Sequence, residues 1–172
     1  MTAFAVLAAF AAMVSLEDTA LRLEFGEASA GFRLNAVVNK LGGETRFGDP
    51  ARATPLWSVR FVRRGDSCSV ASDSPAAARE LVRTAEGLRF CWKGVDLPED
   101  PGAVDVVADV RLVADGTSDW RLEIRNRSRA WAQHTVDYPI LPGVLPVGEG
   151  TAPCRHACRV QGRLVAGGAP LS

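Results

Sequence analysis

The segment Val104–Arg125, "VDVVADVRLVADGTSDWRLEIR", decides the fold. Val104, Val106, Ala108, Val110, Leu112 and Ala114 recur at every second position, while Asp105, Asp109 and Arg111 fall between them. "DGTSD" interrupts the pattern, and Trp120, Leu122 and Ile124 then return with the same period opposite Arg121, Glu123 and Arg125. Successive side chains of a strand point to opposite faces. The alternation therefore predicts two long antiparallel strands, each with one face on a core and one in water, joined by a short polar turn.

The same period runs upstream. Leu88, Phe90 and Trp92 alternate with Arg89, Cys91 and Lys93, and Trp57, Val59 and Phe61 with Ser58 and Arg60. Leu21, Leu23 and Phe25 precede the turn-rich "GEASAG", after which Phe32, Leu34, Ala36 and Val38 read as one apolar face. The clearest helical candidate is "SPAAAREL", Ser74–Leu81, where Ser74 would cap and Pro75 would take the first helical position. Many strands separated by turn signals predict an all-β fold, an antiparallel β-sandwich or barrel. Residues 16–150 are read as that β domain and residues 151–172, rich in Gly, Pro and Arg, as an irregular tail.

The chain has 172 residues, suited to one domain, and 47% of them are apolar. Twenty basic and twenty acidic residues balance, which argues against a nucleic-acid or anionic-membrane binder. Arg63-Arg64 and the series Arg121, Arg125, Arg127 and Arg129 read as solvated faces and turns. The opening run "MTAFAVLAAFAAMV" is shorter than the roughly 20 residues of a membrane span. It reads as a signal-peptide core with Ala9-Phe10-Ala11 as cleavage site, as a mis-assigned start upstream of Met13, or as a helix. The first reading implies a secreted or periplasmic protein, the second a cytoplasmic one.

Chemistry leaves few signals. There is no nucleophile elbow, phosphate loop or His-Glu-x-x-His helix. Cys68, Cys91, Cys154 and Cys158 are too few for a disulfide scaffold, and "CRHAC" (Cys154, His156, Cys158) lacks a fourth ligand nearby, so no metal and no cofactor is expected. Asp137 lies three residues after His134, on the opposite face of an ideal strand, and would not orient its ring. Glu17-Asp18 and Glu99-Asp100 read as solvated pairs, not as glycosidase carboxylates. Trp57, Trp92 and Trp120 fall on core-facing positions. Trp131, with His134 and Tyr138 nearby, remains the candidate for contacting a sugar ring.

"LEDTALRLEFGEASAGFRLNAVVNKLGGETRF" resembles the opening of galactose-mutarotase-like β-sandwich domains, in which a strand of the type L-x-N-x-x-L-x-L-x-F leads through a glycine turn to a strand ending in N-K-x-T-G. Asn39-Lys40 and Gly42-Gly43 match that ending, and Asp18 stands where Asn is frequent. "PLWSVRF" and "YPILPGV" are similar to further segments of these domains. The resemblance covers most of residues 16–150. It implies a non-catalytic sandwich N-terminal to a (β/α)8 barrel that carries the catalytic carboxylates of a glycoside hydrolase-like protein. The complete sandwich of such families is longer than this chain, which reads as stopping before the final strands. No catalytic residue is transferred, because His134 and His156 match neither histidine context of the mutarotases. The resemblance implies a carbohydrate or the barrel as partner. The alternatives are a stand-alone carbohydrate-binding module and an aldose-epimerase-like enzyme using His134 or His156 with a carboxylate such as Glu123.

Overall fold

A computed structural model describes residues 13–28, 31–41, 43–48, 54–113 and 116–141. Eleven strands follow in order: β1 (Met13–Glu17), β2 (Leu21–Ala28), β3 (Gly31–Asn39), β4 (Thr45–Phe47), β5 (Ser58–Arg63), β6 (Asp66–Ala71), β7 (Ala76–Arg83), β8 (Gly87–Leu97), β9 (Asp100–Val113), β10 (Thr117–Asn126) and β11 (Ala132–Asp137). They form three antiparallel sheets ordered β1-β2-β3-β4, β10-β9-β8-β7 and β11-β5-β6. The fold is all-β and sandwich-like. His156, Cys154, Cys158 and the expected tail lie outside the described residues.

The β9–β10 hairpin is the one the alternation predicts, running in unbroken register from Val113↔Thr117 to Val104↔Asn126. Its β9 face is sealed: Val104, Val106, Ala108 and Val110 are buried. Opposite them, aromatic side chains tie the sheets together. Phe25 of β2 lies 5.1 Å from Phe90 of β8, Phe32 of β3 lies 5.7 Å from Trp92, and Trp57, just before β5, meets Trp92 edge-on at 5.3 Å. Such tilted and edge-to-face contacts suit the ring quadrupoles and add specificity to the apolar burial.

Two expectations change. Ser74–Leu81 is not helical. Its residues from Ala76 onward form β7, paired with β8 from Ala76↔Val95 to Arg83↔Leu88. Ser74 instead closes a turn, its hydroxyl accepting the Ala71 N–H at 2.8 Å and its own N–H bonding the Ala71 carbonyl at 2.9 Å. The ladder offered by β8 outweighs a short run of helix-favouring alanines, since propensity is a weak prior against tertiary pairing.

The second change is in β3. Phe32, Leu34, Ala36 and Val38 do not share a face. Asn35 is an extra residue between Glu24↔Ala36 and Phe25↔Leu34, a β-bulge. Phe32 and Leu34 enter the core, but beyond the bulge Val37 takes the inward place. Ala36 and Val38 pair instead with Glu24 and Arg22 on the opposite face. A one-residue shift exchanges the two faces of a strand. Both residues are nonetheless buried, because the charged side chains of that face cover them.

Candidate functional site

That outer face holds the most buried carboxylate among the described residues. Glu24 is 7% exposed. One of its oxygens is 3.1 Å from Arg22 Nε and the other 2.7 Å from Arg46 Nη1. Arg22 also bonds Glu44, and Lys40 bonds Glu17 at 2.6 Å. The alternation of Arg22 with Leu21 and Leu23 gave no sign of this network, because nothing in the residue types announces the bulge that buries Glu24. Every acidic member has a basic partner, so the network is a structural clamp over Ala36 and Val38. Glu24→Gln should cost about 1–3 kcal/mol in urea unfolding, since two guanidinium groups lose their shared buried anion. Glu44→Gln, with 59% of its side chain exposed, should cost less than about 1 kcal/mol.

The sequence-predicted contact residues do not converge. Trp131 is buried, against the expectation of an open stacking surface. Its indole N–H donates to the Pro98 carbonyl at 3.0 Å, and the Arg63 guanidinium covers the ring 4.6 Å from its centroid. Arg63 in turn bonds Glu99 at 2.8 Å, which holds the Glu99 carboxyl below its ordinary range. Glu99 occupies a left-handed turn conformation (φ 62°) between β8 and β9. Trp131, Arg63 and Glu99 thus clasp that turn to the end of β5.

His134 is the extra residue of a second bulge, between Gln133↔Phe61 and Thr135↔Arg60. The bulge leaves His134, Thr135 and Asp137 all exposed, and the ring contacts the Thr135 hydroxyl at 2.8 Å through Nδ1. Tyr138 lies elsewhere, edge-on to Trp120 at 5.9 Å, its hydroxyl 3.4 Å from the carbonyls of both Asp109 and Arg121. Burial pushes its phenol far above the usual range, so it is no acid or base near neutral pH. Glu123 is exposed beside Arg121, and no bond joins it to His134.

Asp18 accepts the N–H groups of Ala20 and Leu21, each at 2.7 Å, and these bonds lower its pKa. Burial raises the thiols of Cys68 and Cys91, which stay protonated and weakly nucleophilic. A shallow groove of about 230 Å³ runs between Ser15, Glu17, Arg83, Thr84 and Glu86. Its polar groups bond within the protein: Arg83 to the Ser15 carbonyl, Thr84 to the Gly87 N–H and Glu86 to Arg111. Among the described residues no cluster of three or more His, Cys, Asp or Glu could hold a metal ion, and no helix is long and apolar enough to cross a membrane.

Comparison of the chain with models of protein families, with curated proteins and with solved structures finds no match in any of the three.

Proposed function

We propose that the chain is the non-catalytic β-sandwich domain of a carbohydrate-active, glycoside hydrolase-like enzyme, standing N-terminal to the barrel that performs the chemistry. One observation carries this reading. The residues bearing the mutarotase-like resemblance meet one another at the opening of the sandwich. Lys40 donates from its side chain to the Asp18 carbonyl at 2.9 Å and from its backbone to the Ala20 carbonyl at 2.8 Å, while Asn39 pairs with Leu21. A short motif that knits its own domain together is the kind a scaffold retains when its chemistry lies in a neighbouring domain.

The dispersal of Trp131, His134 and Tyr138 favours this reading over a self-contained sugar-binding module or an epimerase. An epimerase needs an acid and a base on one sugar, and His134 and Glu123 share no contact.

Two measurements test it. Polarimetry on galactose and glucose anomers, with a panel of aryl glycosides, should show no acceleration by the purified chain. Saturable catalysis would overturn the non-catalytic assignment. The coding DNA, read onward from the codon for Ser172, should continue into a (β/α)8 barrel. A stop codon there without a barrel would sink the domain assignment.

A further inference from the structure

The edge strand β10 is built to pair with something. It is the outermost strand of its sheet among the described residues, ten residues long, in unbroken register with β9 and without proline. Natural sheets usually guard such an edge with a bulge, a proline, an inward-pointing charge, a short strand or charged side chains, and of these β10 has only the charges, which alternate in sign. Here the inward row is Trp120, Leu122 and Ile124, half-buried where the neighbouring β9 row is sealed.

Among the described residues no strand pairs with that edge from Ser118 to Arg125. Tyr138 reaches the carbonyls of Asp109 and Arg121 together, so these two carbonyls converge across the β9–β10 ladder. Antiparallel strands alternate the direction of their polar groups. Trp120, Leu122 and Ile124 therefore direct their N–H and C=O groups away from β9.

The outward row selects the occupant. It reads Asp119, Arg121, Glu123, Arg125, all exposed. Laid antiparallel against a copy of itself about Leu122, this row places Asp119 opposite Arg125 and Arg121 opposite Glu123, and the reverse pairs complete the set. On the inward face the same register sets Trp120 against Ile124 and Leu122 against its own symmetry mate. Leu122 is among the residues whose polar groups face the free edge, so the two-fold axis would fall on a hydrogen-bonded pair. Charge, apolar row and backbone direction thus agree on one register. Such self-complementarity is what an isologous two-fold interface requires.

We propose that β10 pairs antiparallel with β10 of a second copy of this chain, merging the two four-stranded β10-β9-β8-β7 sheets into one. The pairing buries the Trp120–Leu122–Ile124 row of both copies. Arg111, which bonds Asp119 at 2.7 Å, holds that carboxylate beside Arg125 of the second copy. This inference is independent of any carbohydrate function.

Light scattering coupled to gel filtration, on the full chain in reductant to exclude disulfide linkage, should give a dimer. Glu123→Arg sets Arg121 against arginine twice in the pairing and should weaken association at least about tenfold. The exchange variant Arg121→Glu/Glu123→Arg restores opposite charges and should recover it. Both side chains are exposed, 72% and 61%, so unchanged circular dichroism is expected to confirm folding. A monomer at every accessible concentration would overturn the proposal, and protected β10 amides in that monomer would assign the edge to the chain's own residues. A dimer indifferent to Glu123→Arg would overturn it too.

Discussion

Trp92→Ala is expected to remove a large share of the stability of the fold and to shift its urea midpoint far downward. The Trp92 side chain is fully buried and stands at the point where all three sheets meet. Phe32 approaches it from the first sheet and Trp57 from the segment leading into β5, while Phe90 flanks it on its own strand. Its indole N–H donates to the Ser72 carbonyl at 2.8 Å. Truncation removes one of the two largest buried side chains of the centre and leaves a cavity lined by rings that cannot close over it. Large aromatic deletions of this kind cost about 3–5 kcal/mol, and the lost donor adds to that. Set against a typical domain stability of about 5–15 kcal/mol, the loss is a large share of the total. Urea unfolding followed by circular dichroism reads it directly. Trp92→Phe separates the two contributions, since it keeps most of the packing and loses the N–H, and should cost about 1–3 kcal/mol. A Trp92→Ala variant that unfolds at the wild-type midpoint would show that the three sheets are not held together at this point.

Much of that centre could be read from the residues. Trp57, Val59 and Phe61, like Leu88, Phe90 and Trp92, sit where strict alternation places them, because a strand with one buried face must keep a period of two. The reading failed where one residue was inserted. The bulge at Asn35 turned Ala36 and Val38 to the outer face, opposite Glu24 and Arg22. Nothing in composition marks a bulge, since the extra residue is set by the partner strand. Ser74–Leu81 failed differently: its local preference is helical, and only the long β8 ladder, distant information to a local reading, draws it out as a strand. Trp131 owes its burial to Arg63 and Pro98, more than thirty residues away in sequence and so outside any local reading.

Ser72→Ala tests a smaller group with a comparably central place. Ser72 is 0% exposed, one of two polar or charged residues buried among those described. Its hydroxyl accepts the Leu56 N–H at 2.7 Å and donates to the Phe32 carbonyl at 3.0 Å. Its backbone N–H bonds the Trp57 carbonyl at 3.1 Å, and its carbonyl takes the Trp92 indole. One serine therefore links β3, the approach to β5 and the centre of β8. The fit is close enough that Gly31, at φ 133°, could not carry a Cβ, which would lie 2.2 Å from the Ser72 carbonyl oxygen. Alanine keeps the backbone bonds but leaves a buried N–H and a buried carbonyl without partners. Each orphaned group costs about 1–3 kcal/mol, so the variant should lose about 2–6 kcal/mol in urea unfolding, with faster hydrogen exchange at the Leu56 amide. Ser69→Ala offers the contrast. Its side chain is exposed, and surface substitutions usually stay within about 0.5 kcal/mol. Equal, small effects from Ser72→Ala and Ser69→Ala would mean that the hydroxyl bridges nothing, and that the first and third sheets are held by apolar packing alone.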